Sequence, residues 1–218
     1  MFSLHKGKSK CRKGWKEIVS CKIESGKEKL RYLRFSIMTI KSEKMKHPLA
    51  QFLYCPRCGA KAFVEANEKA KKCTLCHFVY YFNPSSAVAC IISDKDENIL
   101  VVKRAKDPAK GTLDLPGGFS DMFETAEETV RREVKEETGL ELTSLRYLFS
   151  VPNIYLYSGF EVHTVDLIYK GEVDSLVGAV AQDDAAEICI IPQKELDPEA
   201  FGLTSIRQVI RRICTLDE

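Results

Sequence analysis

No stretch of this chain is apolar for long enough to cross a membrane. The apolar core of a secretory signal is also missing, and acidic residues near the start argue against a transit peptide. Internal repeats and low-complexity tracts are not evident, which sets aside solenoids and fibrous classes. There are nine cysteines, but Cys11, Cys21, Cys90, Cys189 and Cys214 follow no disulfide-framework spacing. These absences lead to the expectation of a cytoplasmic protein with no membrane association. What remains is ordinary for a globular chain: 218 residues with a hydrophobic fraction of 44%. That length accommodates one medium domain and a small one.

Charge is unevenly spread. The formal net charge is +2, yet residues 1–46 carry +10 and the remainder −8. Such asymmetry suggests a basic tail, expected to be disordered and separate from the fold. A basic tail can touch nucleic acid or anionic lipid. An alternative start at Met45, just ahead of the first cysteine pair, is also consistent with the sequence.

Between Glu124 and Thr138 there is neither Gly nor Pro, and most residues are good helix formers. Gly139 supplies a C-terminal stop. At about 100° per residue, Glu133 and Glu137 share the sector of Val130 and Val134, with Glu136 at its margin. Glu124, Glu128, Arg131 and Lys135 fall on the opposite side. A solvated charged face explains Glu124, Glu127 and Glu128 but not Glu133 and Glu137. A carboxylate turned inward must be paired, protonated or metal-bound. Carboxylates at i, i+3 and i+4 can converge on one hard cation, for which magnesium or manganese is suited. Arg132 can orient a neighbouring carboxylate, and Gly117-Gly118 permits a tight turn that exposes backbone carbonyls.

Gly118, Glu124 and the run Arg132-Glu133-Val134-Lys135-Glu136-Glu137-Thr138-Gly139-Leu140 resemble the Nudix hydrolase box, G-x5-E-x7-R-E-U-x-E-E-x-G-U, with every fixed position filled. The resemblance implies hydrolysis of a nucleoside diphosphate linked to another moiety, dependent on magnesium or manganese. It implies Glu133, Glu136 and Glu137 as ligands or base, Gly118 as a carbonyl ligand, and Glu124 paired with Arg132. It also implies a further acidic residue from a later loop. Among Asp183, Asp184 and Glu187, the expectation is Glu187, because Ile188–Pro192 resembles the strand in the family position.

Upstream, Cys55-x2-Cys58 and Cys73-x2-Cys76 form two knuckles separated by fourteen residues. This pattern predicts a four-thiolate, closed and therefore structural zinc site, with His77 an exposed neighbour. The ribbon is expected over residues 50–83 and the catalytic domain over 84–214. Strands are expected at 87–92 and 99–103 as a hairpin, then at 145–151 and 162–170, with a closing helix at 204–214. His163 in the later strand reads as structural. The fold class is α/β: a Nudix α/β/α sandwich with a mixed sheet, preceded by a small zinc ribbon.

A ribbon ahead of a Nudix domain resembles the NADH pyrophosphatase branch over roughly residues 52–213. That branch carries S-Q-P-W-P-F-P-x-S after the box. Here Ser150, Pro152 and Ser158 agree and Tyr155 keeps an aromatic ring, while the Gln, Trp and two prolines differ. The resemblance implies a dinucleotide substrate such as NADH, FAD or ADP-ribose, cleaved to AMP, with broader selectivity than a strict NADH enzyme. Tyr155 and Tyr157 are the candidates to stack on a base. The partner is a small-molecule nucleotide; a homodimer is compatible with this reading. The alternatives are a nucleoside triphosphate pyrophosphohydrolase and a non-enzymatic nucleotide- or nucleic-acid-binding protein, with nucleic acid ranked second.

Overall fold

The computed structural model describes residues 47–215. The basic segment 1–46 and the side chain of Tyr155 lie outside the described residues. No described helix is long and apolar enough to cross a membrane.

The first sheet is a three-stranded antiparallel one, β1 (Phe63–Asn67), β2 (Ala70–Cys73) and β3 (Val79–Tyr81). Its core is little more than Phe63 with the buried Cys55 and Cys73. Lys71 is buried in it, and its ammonium donates to the carbonyls of Leu49 (3.3 Å) and Phe52 (2.6 Å). A buried cation requires such acceptors, so the short segment before the first knuckle is tied to the ribbon.

The second sheet has strand order β6-β5-β4-β8-β7, with β9 on β5. Its members are β4 (Ser85–Ser93), β5 (Asn98–Arg104), β6 (Leu113–Asp114), β7 (Ser144–Tyr157), β8 (Phe160–Glu172) and β9 (Ala185–Pro192). It is mixed: β4 runs parallel to β8 from Ser85↔Thr164 to Ser93↔Glu172, and the other pairings are antiparallel. Strands β4 and β5 are apolar on both faces because each face is covered by a helix. Ala89, Ile91, Ile99 and Val101 pack against α2 (Thr204–Thr215), while Val88, Cys90, Ile92, Leu100 and Val102 pack against α1 (Ala126–Thr138). The result is the expected helix–sheet–helix layering.

Three local differences from the sequence reading have physical causes. The β4–β5 hairpin pairs only at Ile92↔Leu100 and Ser93↔Ile99. Further along, the N–H groups of Val88 and Cys90 donate to the carbonyls of Gly118 and Pro116, both at 2.8 Å, so a loop occupies that edge. Helix α1 begins at Ala126 because Thr125 caps it: its Oγ1 accepts from Glu128 N–H (3.2 Å), and Glu128 Oε2 accepts from Thr125 N–H (2.8 Å). Glu124 therefore precedes the helix instead of lying on its outer face. The third difference is the length of β7 and β8, which run on to a two-residue turn at Ser158-Gly159. Both residues have positive φ (52° and 72°), as a tight hairpin turn needs. Beyond Thr164 the tip of this hairpin has left β4 behind and is two-stranded.

Candidate active site

Helix α1 presents its carboxylates in graded burial. Glu137 is buried, and its Oε2 accepts from Gly117 N–H at 3.0 Å. Burial pushes its carboxyl up to about 8; the Gly117 N–H opposes this, while Glu133, Asp114 and Asp184 add to it. Glu133 is also raised by burial, against the pull of Arg132. Glu136 is the exposed member, its side chain 47% accessible. The inward sector read from the helical period thus holds Glu133 and Glu137, with Glu136 at the rim.

Arg132 organises this surface. Its Nε and Nη2 donate to the two oxygens of Glu124 (2.7 and 3.0 Å), a two-pronged pair. Its Nη1 donates to Glu133 (2.8 Å) and Glu136 (3.1 Å). Glu124 also accepts from Asp121 N–H (3.1 Å) and the Thr129 hydroxyl (3.0 Å), and Arg132 above all holds its carboxyl down to about 2. Glu124 is therefore a fixed anchor and not part of a solvated face.

Of the glycines ahead of the helix, Gly117 is required by close approach to backbone, whereas a side chain at Gly118 would displace the Glu133 carboxylate. A Cβ on Gly118 would sit 2.5 Å from a Glu133 oxygen, and one on Gly117 2.1 Å from the Val88 carbonyl. The Gly118 carbonyl accepts from Val88 N–H, which leaves it one lone pair for a second partner.

Two side-chain placements differ from the sequence reading. Among the described residues, the helix glutamates are not gathered within 4.8 Å of one another; the four cysteines are the group that is. The reason is that Arg132 draws Glu133 and Glu136 while Gly117 holds Glu137. The second difference is the placement of Glu187. It pairs with Lys103 across the β5–β9 ladder, in phase with the residues that face α2, and its carboxylate lies 3.8 Å from the Lys103 amine. Asp184 instead lines the cavity with Glu137, and Lys106 pairs with Asp184 and Asp183.

That cavity has a volume of about 640 Å³, within the range of small-molecule sites. It extends from Gly118, Glu137 and Asp184 to Asn153, Tyr157 and Asp166. Tyr157 is on its wall and largely exposed; Tyr155 is in β7, and its side chain lies outside the described residues. His163 is not in the cavity but packs edge-on against Phe82 at 5.7 Å.

Sequence reasoning missed the polar floor. Asp166 is buried and accepts from the Thr164 hydroxyl at 2.5 Å. Beside it, Asp114 is buried and paired with Arg104 at 2.5 Å; burial pushes its carboxyl up and Arg104 pulls it down. The available signal was phase: Thr164 and Asp166 lie four and two residues before the core residue Ile168, hence on its inward face.

In the ribbon, Cys55 and Cys76 have their sulfurs 3.6 Å apart, and those of Cys58 and Cys73 are 3.7 Å apart. Thiolates about 2.3 Å from a tetrahedral zinc lie roughly 3.8 Å from each other, so the four sulfurs fit that ion. The Cys76 N–H aimed at Cys73 holds that thiol down, while the neighbouring thiols push Cys58 up, so the four sulfurs share their protons unequally. Gly59 and His77 follow the second cysteine of each knuckle with φ of 71° and 61°, and His77 is exposed.

A NUDIX domain model matches residues 83–213. An ADP-ribose pyrophosphatase of Methanocaldococcus jannaschii is 47% identical over 134 residues, covering 60% of this chain and 75% of that protein. The NAD-capped RNA hydrolase NudC of Vibrio vulnificus is 29% identical over 116 residues, covering 53% of this chain and 44% of its own, so the chain spans less than half of that relative. Among solved structures, a NUDIX hydrolase from Nitrosomonas europaea shares the fold at a TM-score of 0.56 and 21% identity, covering 73% of this chain and 89% of that one. A MutT NUDIX hydrolase from Burkholderia pseudomallei aligns at 0.52 and 26%, covering 62% of this chain and 100% of that one. With the box filled, Glu137 of α1 lining a cavity and the family model covering most of the chain, this protein belongs to the Nudix hydrolases.

Proposed function

We propose that the protein cleaves the pyrophosphate bond of a nucleoside diphosphate linked to a second moiety, with ADP-ribose first among candidates. NADH, FAD and an NAD-capped end are further members of that substrate class, and AMP is the expected product of the small ones. In this reading residues 50–83 are a structural zinc ribbon, 84–214 the catalytic domain, and the enzyme is cytoplasmic. The supporting observation is a buried Glu137, its carboxyl raised by that burial, sharing one cavity with Gly118 and Asp184. An acid raised in that way is unfavourable unless a cation or a proton accompanies it.

Glu133, Glu136, Glu137 and the Gly118 carbonyl would hold magnesium or manganese, with Asp184 in place of Glu187 as the loop carboxylate. Such a cation neutralises phosphate oxygens and lowers the pKa of a bound water. The chain's own work is positional. Arg132, clamped by Glu124, sets the carboxylates of Glu133 and Glu136. A glutamate within reach of the attacking water takes its proton. At the far end, the Asp166 carboxylate suits hydrogen-bond donors of the nucleoside, and Tyr157 can cover a base.

The test is a substrate panel with magnesium and with manganese: ADP-ribose, NADH, FAD, NAD-capped RNA, nucleoside triphosphates and isopentenyl diphosphate. Highest kcat/KM on an ADP-containing dinucleotide or ADP-ribose is expected. Preference for triphosphates would place the protein in the nucleotide-triphosphate class, and isomerisation without hydrolysis would overturn the reaction type.

A further inference from the structure

The hairpin that closes the cavity is an element that should not hold its shape alone. Pairing between β4 and β8 stops at Ser85↔Thr164, whereas β7 and β8 continue to Tyr157↔Phe160. The tip is therefore a bare two-stranded ribbon, a structure only marginally stable without packing. Its outward residues do not supply that packing: Ile154 and Leu156 are 51% and 64% exposed. Yet this tip furnishes Asn153, Tyr157 and Val162 to the cavity wall.

The cover comes from the cysteine-bearing unit. Phe160, the residue after the turn, meets the ring of Phe52 edge-on at 5.7 Å and that of Phe82 at 5.6 Å. Phe82 also meets His163 at 5.7 Å, at the base of the tip. The Gln51 side-chain amide donates to the Gly159 carbonyl at 3.2 Å, at the turn itself. Phe52 and Gln51 belong to the segment whose carbonyl at Phe52 is held by the buried Lys71. Phe82 follows β3 directly. Both grips on the hairpin are thus anchored in the ribbon fold.

From these contacts the geometry points to a positioning role: the ribbon, through Phe52, Phe82 and Gln51, braces the β7–β8 tip so that Tyr157 and Asn153 stand at the nucleotide end of the cavity. The cysteine-bearing unit then serves substrate binding in the neighbouring domain and not only its own stability. Its effect on binding rests on the proposed nucleotide site; its effect on hairpin order does not. None of the bracing residues touches the α1 carboxylates, so the chemical step is left alone. Loss of the brace removes a binding contact by disorder, which raises KM and spares kcat.

The experiment uses the full chain with Phe82→Ala, the milder Gln51→Ala, Phe160→Leu from the hairpin side, and Phe82→Tyr as the conservative variant. Hydrogen exchange over residues 154–163 is read without substrate, and kcat and KM with ADP-ribose. Phe82→Ala is expected to speed exchange at the tip and raise KM about 2- to 10-fold, the weight of an aromatic pair, with kcat within about twofold. Phe82→Tyr should restore both. Should Phe82→Ala fail to fold, Gln51→Ala and Phe160→Leu carry the same readouts. Unchanged exchange at 154–163, unchanged KM, or a fall in kcat at constant KM each overturns the brace. If the wild-type chain does not hydrolyse ADP-ribose, the substrate reading fails while the exchange measurement still decides whether the ribbon orders the tip.

Discussion

Among the described residues, the four cysteines and the carboxylates of α1 are two groups with metal-competent side chains, and they are built on opposite plans. The four cysteines come from two short knuckles, and their sulfurs already sit at the spacing a tetrahedral ion imposes. The carboxylates of α1 lie on one rigid helix yet are held apart by an arginine and a backbone N–H. The difference follows from ligand charge and purpose. A closed thiolate cage is part of a fold whose core is otherwise Phe63 and its neighbours, so its ligands are set by the fold. In the proposed reading the open carboxylate site must admit substrate, so its ligands stay paired with replaceable partners until a cation and a phosphate arrive.

The largest expected effect comes from breaking the open site. Glu136→Gln or Glu137→Gln should lower kcat by about 100-fold or more with no loss in melting temperature. Full activity in both variants would remove the helix from the chemistry. The closed site should respond the other way. Cys73→Ser should reduce zinc content from about one per chain and its affinity by on the order of 10- to 100-fold. The ribbon should melt before α1, seen as selective loss of amide protection over residues 55–81. Coincident loss of protection in α1 would make the two regions one cooperative unit.

A middle-sized effect sharpens the contrast through pH. Folded Glu137 keeps its proton up to about 8, whereas an unfolded glutamate releases it near 4.5. The unfolded chain is therefore increasingly favoured as pH rises between those values. In the absence of added magnesium or manganese, stability should be full below about 4.5 and decline toward pH 8. Either cation should restore it, measured by thermal unfolding across that window. A flat profile without cation would mean that Glu137 ionises freely.

The smallest effects separate two neighbouring acids. Asp184→Asn should cost about 10-fold in kcat, whereas Glu187→Gln, an exposed ion pair with Lys103, should change it by less than about twofold. The reverse order would reinstate Glu187 as the loop ligand. This pair also shows where sequence reading stopped. Alternation along Ala185–Pro192 identifies a strand but not which face its first carboxylate takes, because a bulge between Lys103 and Arg104 resets the register there. Glu124 carries the same lesson. Its spacing suggested an exposed helical position, and the Thr125 cap moved it out of the helix and onto Arg132.

The sequence by itself determined the elements whose signals are local: α1 with its inward Glu133 and Glu137, the two knuckles, the glycine pair and the layered α/β class. Helical period, cysteine spacing and the need for a residue without a side chain are properties of a few consecutive positions. Only the tertiary structure decided which carboxylates meet: Asp184 and not Glu187 at the cavity, Asp166 and Asp114 on its floor, and the ribbon against the β7–β8 tip. Those meetings join residues far apart in the chain. They depend on strand register, on a bulge and on where one sheet edge ends, and no local pattern encodes these.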